Sequence, residues 1–201
     1  PANATTGITV SVRAVDDPID ETTPHSTTIT TATTVSATPR FNGLAVADVT
    51  VDITDNDTAG VTITQTGAST AVTESGTTDT YTIVLDTQPT ATVNVAITFP
   101  AADLIVNGDT DGTFNTTFTT GNWDTAQTIT VAAVNDRNFE GDHSGALDHA
   151  FTSADALYQG ITAEVDGTTN TNTITVSITD NETMQLVWQN LIPNGKGGAV
   201  E

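Results

Sequence analysis

Acidic residues in this sequence gather where alternating apolar runs give way to turn residues. Between residues 59 and 182 they are Glu74, Asp103, Asp136, Glu140, Asp142, Asp180 and Glu182. Carboxylates at strand ends are hard oxygen donors, and a cation such as calcium takes six to eight oxygens at about 2.3–2.6 Å. Loops at one end of a sheet protein can bring such groups together from distant positions, and without an ion they repel one another. Other chemistry is poorly supplied. A carboxylate pair such as Glu74 and Asp103 could serve a glycosidase, yet nothing else marks a substrate cleft. His25, His143 and His149 lack the spacing of a zinc site or of a triad, and they read as surface histidines. Trp123 could stack on a sugar, but a single tryptophan just before a strand reads as a core plug. No catalytic residue is assigned, and the chain does not read as an enzyme.

The composition narrows the partners. Among 201 residues, four Lys and Arg stand against 25 Asp and Glu, a net charge of −21. Nucleic acid needs clustered basic residues and is excluded as a partner. An anionic membrane surface fails for the same reason, and no apolar run is long enough to insert as a helix. Cysteine is absent, which removes disulfide and thiol chemistry and fits an exported bacterial protein. Threonine alone makes up nearly a quarter of the chain. Being β-branched, it favours strands over helices, so the chain is expected to be all-β.

Internal repetition sets the organisation. Thr9 to Asp17 (TVSVRAVDD) recurs as Thr128 to Asp136 (TITVAAVND), and Glu21 matches Glu140. Ser36 to Gly43 matches Ser153 to Gly160, and Val49 to Asp57 matches Ile174 to Glu182. One complete unit therefore spans 59–182, preceded in 1–58 by the second half of a similar unit. Residues 183–201 read as the first strand of a following unit or as a tail. Within 59–182, period-two alternation predicts strands near 60–65, 79–86, 91–98, 112–119, 127–134, 146–153 and 171–179. Residues 1–58 are expected to give three more, near 8–15, 26–34 and 45–54. Seven short strands separated by turn signals make a two-sheet antiparallel sandwich, with no helix longer than about two turns.

Several motifs, in this order, resemble the Calx-beta repeat of large bacterial surface proteins: Gly60-Val61, Val72 to Gly76, Ala102-Asp103, Asn135-Asp136 with Glu140 to Asp142, and Ile178 to Glu182. The resemblance implies tandem immunoglobulin-like sandwiches that bind calcium through loops facing the next domain. Carried over by position, the ligands are Glu74, Asp103, Asp136, Glu140, Asp180 and Glu182. In the half unit they are Asp17, Glu21, Asp55 and Asp57. His143 departs from the pattern, standing where the family usually has another acid. The expected function is an extracellular or cell-surface structural repeat of a filament-forming protein, stiffened by calcium at inter-repeat junctions. Its partners would be neighbouring repeats or subunits, joined by strand addition where a unit is incomplete. The alternative is an adhesive module recognising a glycan or surface protein, with Trp123, Tyr158 and Trp188 as its only candidate aromatic platform.

Overall fold

The computed structural model describes residues 7–21, 23–168 and 171–184. Apart from two single 3-10 turns, Pro39–Phe41 and Thr66–Ala68, the described elements are strands. In chain order they are β1 (His25–Ile29), β2 (Val49–Ile53), β3 (Val61–Gln65), β4 (Thr70–Thr73), β5 (Asp79–Leu85) and β6 (Val93–Thr98). There follow β7 (Leu104–Val106), β8 (Thr113–Phe118), β9 (Gln127–Ala133), β10 (His143–Ser153), β11 (Glu164–Val165) and β12 (Thr173–Thr179). The further strand expected after residue 183 falls on 185–201, outside the described residues.

Two five-stranded sheets face each other, ordered β4-β12-β10-β6-β8 and β11-β3-β5-β9-β7. The alternation of apolar residues dictates which side chains meet between them, because successive residues of a strand point to opposite faces. Tyr81, Ile83 and Leu85 of β5 are buried against Val93, Val95 and Ile97 of β6 and Ile174, Val176 and Ile178 of β12. All seven expected strands of the unit are present. β4, β7 and β11, with four, three and two residues, are additional. Two pairings are parallel rather than antiparallel, β4 with β12 and β11 with β3. In both cases a short strand reaches its neighbour from the opposite sheet's connection instead of through a hairpin.

His149 is not on the surface, as the sequence suggested, but is 3% exposed. It lies on the inward parity of β10. There Tyr81 Oη meets its Nε2 at 2.8 Å, and its Nδ1 lies 2.8 Å from the Asn172 carbonyl oxygen. That carbonyl can only accept, so Nδ1 carries the proton and the tyrosine hydroxyl donates to Nε2. Burial holds the ring's pKa below its ordinary value. Trp123 is half-buried against the core, as a plug would be.

Residues 7–58 contribute no strand to this sandwich. β1 and β2 pair only with each other. Residues 8–15, expected as a strand, run without a ladder, since no neighbouring strand is there to accept them.

Gly145 marks a close contact between the sheets. A Cβ at this inward position of β10 would lie 2.8 Å from Leu104 Cδ1 and 3.2 Å from Pro100 Cγ. Gly145→Val should therefore destabilise the sandwich by about 1–3 kcal/mol through overpacking. Urea unfolding measures this, and an unchanged midpoint would show that Leu104 yields freely.

Candidate metal centre

Ladder registers bring the acids to one pole. β4 runs parallel to β12 with Thr73 beside Thr179, so Glu74 and Asp180 leave the sheet together, and the Glu74 N–H donates to the Thr179 carbonyl at 3.1 Å. β10 pairs antiparallel with β12, placing His143 opposite Ile178. In the other sheet Leu104 pairs with Ala133, and the Val134 N–H donates to the Asp103 carbonyl at 2.9 Å. The ends of β4, β9 and β12 and the starts of β7 and β10 therefore share one pole, which is where the chain leaves the sandwich.

At this pole Glu74, Asp136 and Glu182 each offer a carboxylate oxygen, and all three oxygens lie within 4.8 Å of one another. Glu74 is 3% exposed, and its Oε2 has no hydrogen-bond partner. Glu182 Oε2 is likewise buried and unpartnered. A buried carboxylate oxygen without a donor is costly, and two of them converging on a third carboxylate compound the cost. Burial, followed by contact with Asp180 and Glu74 and the repulsion of their charges, pushes the Glu182 carboxyl up to about 7.

The remaining candidates organise the loops. Asp180 Oδ1 accepts the Glu182 N–H at 2.7 Å, and its Oδ2 accepts the N–H groups of Glu140 at 2.8 Å and Gly141 at 2.5 Å. These donors hold its pKa down to about 2, so Asp180 stays ionised and pins both the β9–β10 loop and the exit of the chain. Asp142 Oδ1 accepts the Asp180 N–H at 3.2 Å. Asp136 folds its own loop by accepting the Asn138 N–H at 2.6 Å and Asn138 Nδ2 at 2.8 Å. Asp103 and Glu140 lie outside the three-oxygen cluster but within electrostatic reach of His143. That imidazole's pKa is raised first by its bond to the Gly141 carbonyl, then by Asp103, Glu140 and Glu74. His143 thus stands, with its pKa raised, where another acid was expected.

Residues 17–57 show the same bonds. Asp55 Oδ2 accepts the Glu21 N–H at 2.6 Å, and its Oδ1 accepts the Asp57 N–H at 3.2 Å, as Asp180 does with Glu140 and Glu182. Asp17 Oδ1 accepts the Ile19 N–H at 3.1 Å, as Asp136 does with Asn138. The Glu21 N–H bond and others lower the Asp55 pKa, while burial and the charges of Asp55, Asp16, Asp17 and Asp20 raise that of Asp57. Asp57 Oδ2 is buried without a partner, in the position of Glu182 Oε2. Sequence reading missed Asp20, whose Oδ2 accepts the Ala59 N–H at 2.6 Å. Tyr158 is buried, its hydroxyl donating to the Thr87 carbonyl at 2.7 Å, so neither it nor Trp123 offers the exposed ring face an aromatic platform needs.

No protein-family model matches the chain, and no curated protein matches it. Among solved structures it is similar to the apo-form Calx CBD1 domain, at 15% identity and a TM-score of 0.41, covering 61% of this chain and 99% of that one. It is also similar to the calcium-binding domain CBD12 of CALX1.1, at 16% identity and a TM-score of 0.39, over 59% of this chain and 44% of that one. The chain thus spans less than half the length of that structure. A third is a type III cohesin module from the ScaE cell-surface anchoring scaffoldin of Ruminococcus flavefaciens, at 13% identity and a TM-score of 0.36, over 62% and 89%. These are likenesses of fold.

Glu182 predicts a pH dependence in the absence of divalent ions. Its folded pKa of about 7 lies above the ordinary 4.5, so the native state binds its proton more tightly than the unfolded state. Its contribution to stability is fully present below about pH 4.5 and is lost as the pH rises to about 7. Urea unfolding in chelator should show Glu182→Gln gaining on wild type across that interval. A constant difference between the two proteins would mean the carboxyl is not strained.

Proposed function

We propose that this chain is an extracellular structural repeat whose pole loops take up calcium and so fix the exit direction of the chain. The observation that carries this reading is Glu74: buried, unpartnered at Oε2, and facing Asp136 and Glu182. The donor set fits the ion. Its members are carboxylate oxygens without sulfur or imidazole, which suits a hard divalent cation. Glu74, Asp136 and Glu182 would hold calcium, while Asp180 orients Glu182 and the 140–142 loop toward it. Bound calcium would neutralise the repulsion that the registers impose. Asp103 and Glu140 stand as outer carboxylates of the same pole.

Stiffening follows from where these groups sit in the chain. Glu182 lies three residues beyond β12, so fixing it also fixes the path of whatever follows. At the other pole the half unit is already tied to the complete one: Asp20 accepts the Ala59 N–H, and the Gln88 N–H donates to the Pro18 carbonyl at 2.8 Å. Asp17, Glu21, Asp55 and Asp57 form the corresponding acidic junction. Calcium there would hold the Asp20 loop against β3, as a chain of rigid modules needs. The net charge of −21 keeps such a chain soluble and suits a calcium-rich exterior.

Extracellular modules of this kind bind calcium at about 10⁻⁴–10⁻³ M. With calcium at ten to a hundred times the dissociation constant, mass action stabilises the native state by about 1.5–3 kcal/mol. Differential scanning calorimetry should show that gain in wild type and in Glu164→Gln, a change at the opposite pole. In Glu74→Gln the part of it contributed by this pole should vanish, leaving a smaller gain, while the calcium-free protein melts higher than wild type because an unpartnered buried carboxylate is gone. A full calcium response in Glu74→Gln would remove this site from the reading.

A further inference from the structure

β1 and β2 hold the register of β10 and β12. His25 pairs with Ile53 and Ile29 with Val49, as His143 pairs with Ile178 and Leu147 with Ile174. The loop that follows agrees. The Gly43 N–H donates to the Thr34 carbonyl and the Phe41 N–H to the Thr38 carbonyl, as Gly160 does to Phe151 and Tyr158 to Asp155. The ribbon is thus folded as the second half of a sandwich, and the complete unit shows what covers such a half. Val10 is 79% exposed where Ile129 is 1%, Val12 is 55% where Val131 is 0%, and Val49 is 54% where Ile174 is 1%. Phe41 is 60% exposed at the position of Tyr158, 1% exposed.

We infer that this face docks a first-half repeat, a polypeptide with the strand pattern of residues 61–118, ordered ahead of residues 7–58 as β3–β8 are ordered ahead of β9. The inference rests on reading the chain as a string of repeats. Each edge has a defined partner. Residues 148–153 of β10 pair antiparallel with 93–98 of β6. Their counterparts near 30–36 carry no ladder, so a β6-type strand belongs there. Val176 to Thr179 of β12 pair in parallel with β4, so a β4-type strand belongs along Val51 to Thr54. Residues 9–15, the counterpart of β9, take β5- and β7-type strands. A second copy of this chain is a poor source, because its own β3–β8 are already engaged in its own sandwich.

The test joins a copy of residues 59–125 to the full chain in place of residues 1–6, with a scrambled copy as control, and follows amide hydrogen exchange with and without chelator. The expected result is exchange at least a hundredfold slower in residues 9–15, 30–36 and 49–53 of the extended chain, with no change in the scrambled control. Val95→Asp within the added copy should abolish the protection near 30–36. Should the extended chain aggregate, the same copy supplied as a separate polypeptide must protect those residues. No protection in either format overturns the inference. So does equal protection from the scrambled copy, or protection in the unextended chain that grows with its concentration, which would make a second copy the occupant. The exchange contrast is expected in chelator too, so a failure of calcium binding at Glu74 leaves it unmoved.

Discussion

The pole of the sandwich is governed by repulsion between carboxylates that the ladders force together. Once β4 lies parallel to β12 with Thr73 beside Thr179, Glu74 has nowhere to go but the space between the sheets' ends. Once β9 ends at Ala133 and β12 at Thr179, Asp136 and Glu182 converge on the same space. The core holds this arrangement in place, because slipping any one register by a residue would turn a whole row of apolar side chains to water. The core is therefore what holds the carboxylates of the pole together.

Two kinds of carboxylate serve this design, and their environments separate them. Asp180 and Asp55 accept backbone N–H groups and sit low on the pH scale. Their hydrogen bonds shape loops. Glu182 and Asp57, two residues further on, have buried oxygens with no donor and sit high. The spacing Asp-Asn-acid thus alternates a group satisfied by backbone donors with one whose buried oxygen has none. Because the first acid donates order to the second through its N–H, the two cannot be exchanged without undoing the loop.

Much of the fold was legible because seven strands are long enough to show alternation. β4, β7 and β11 are not: with two to four residues, period two has no room to declare itself. His149 was misplaced although the signal was present, for Leu147, His149 and Phe151 share one parity of β10 and all three are buried. Among the acids, Glu74, Asp103 and Asp180 lie next to strand ends, while Glu140 sits within the β9–β10 loop. Sequence order could not separate Glu74, which is buried and unpartnered, from Asp180, which is saturated by N–H donors, because that difference lies in where neighbouring backbone points. Asp20 went unnoticed because its partner, the Ala59 N–H, is a backbone group across the unit boundary.

The edges of the sheets distinguish the sandwich from the β1–β2 ribbon. The complete sandwich exposes β4, β8, β11 and β7 as its edges, and three of these have four residues or fewer. Short edges leave few unpaired backbone groups to recruit another chain. The fourth, β8, presents Thr113, Asn115 and Thr117 outward rather than apolar side chains. Both strands of the ribbon β1–β2 are edges of five residues, and one face gathers Ile29, Val49, Val51 and Ile53 beside His25 and Thr27. A two-stranded ribbon is marginal by itself in water, whereas each sheet of the sandwich has three inner strands between its edges.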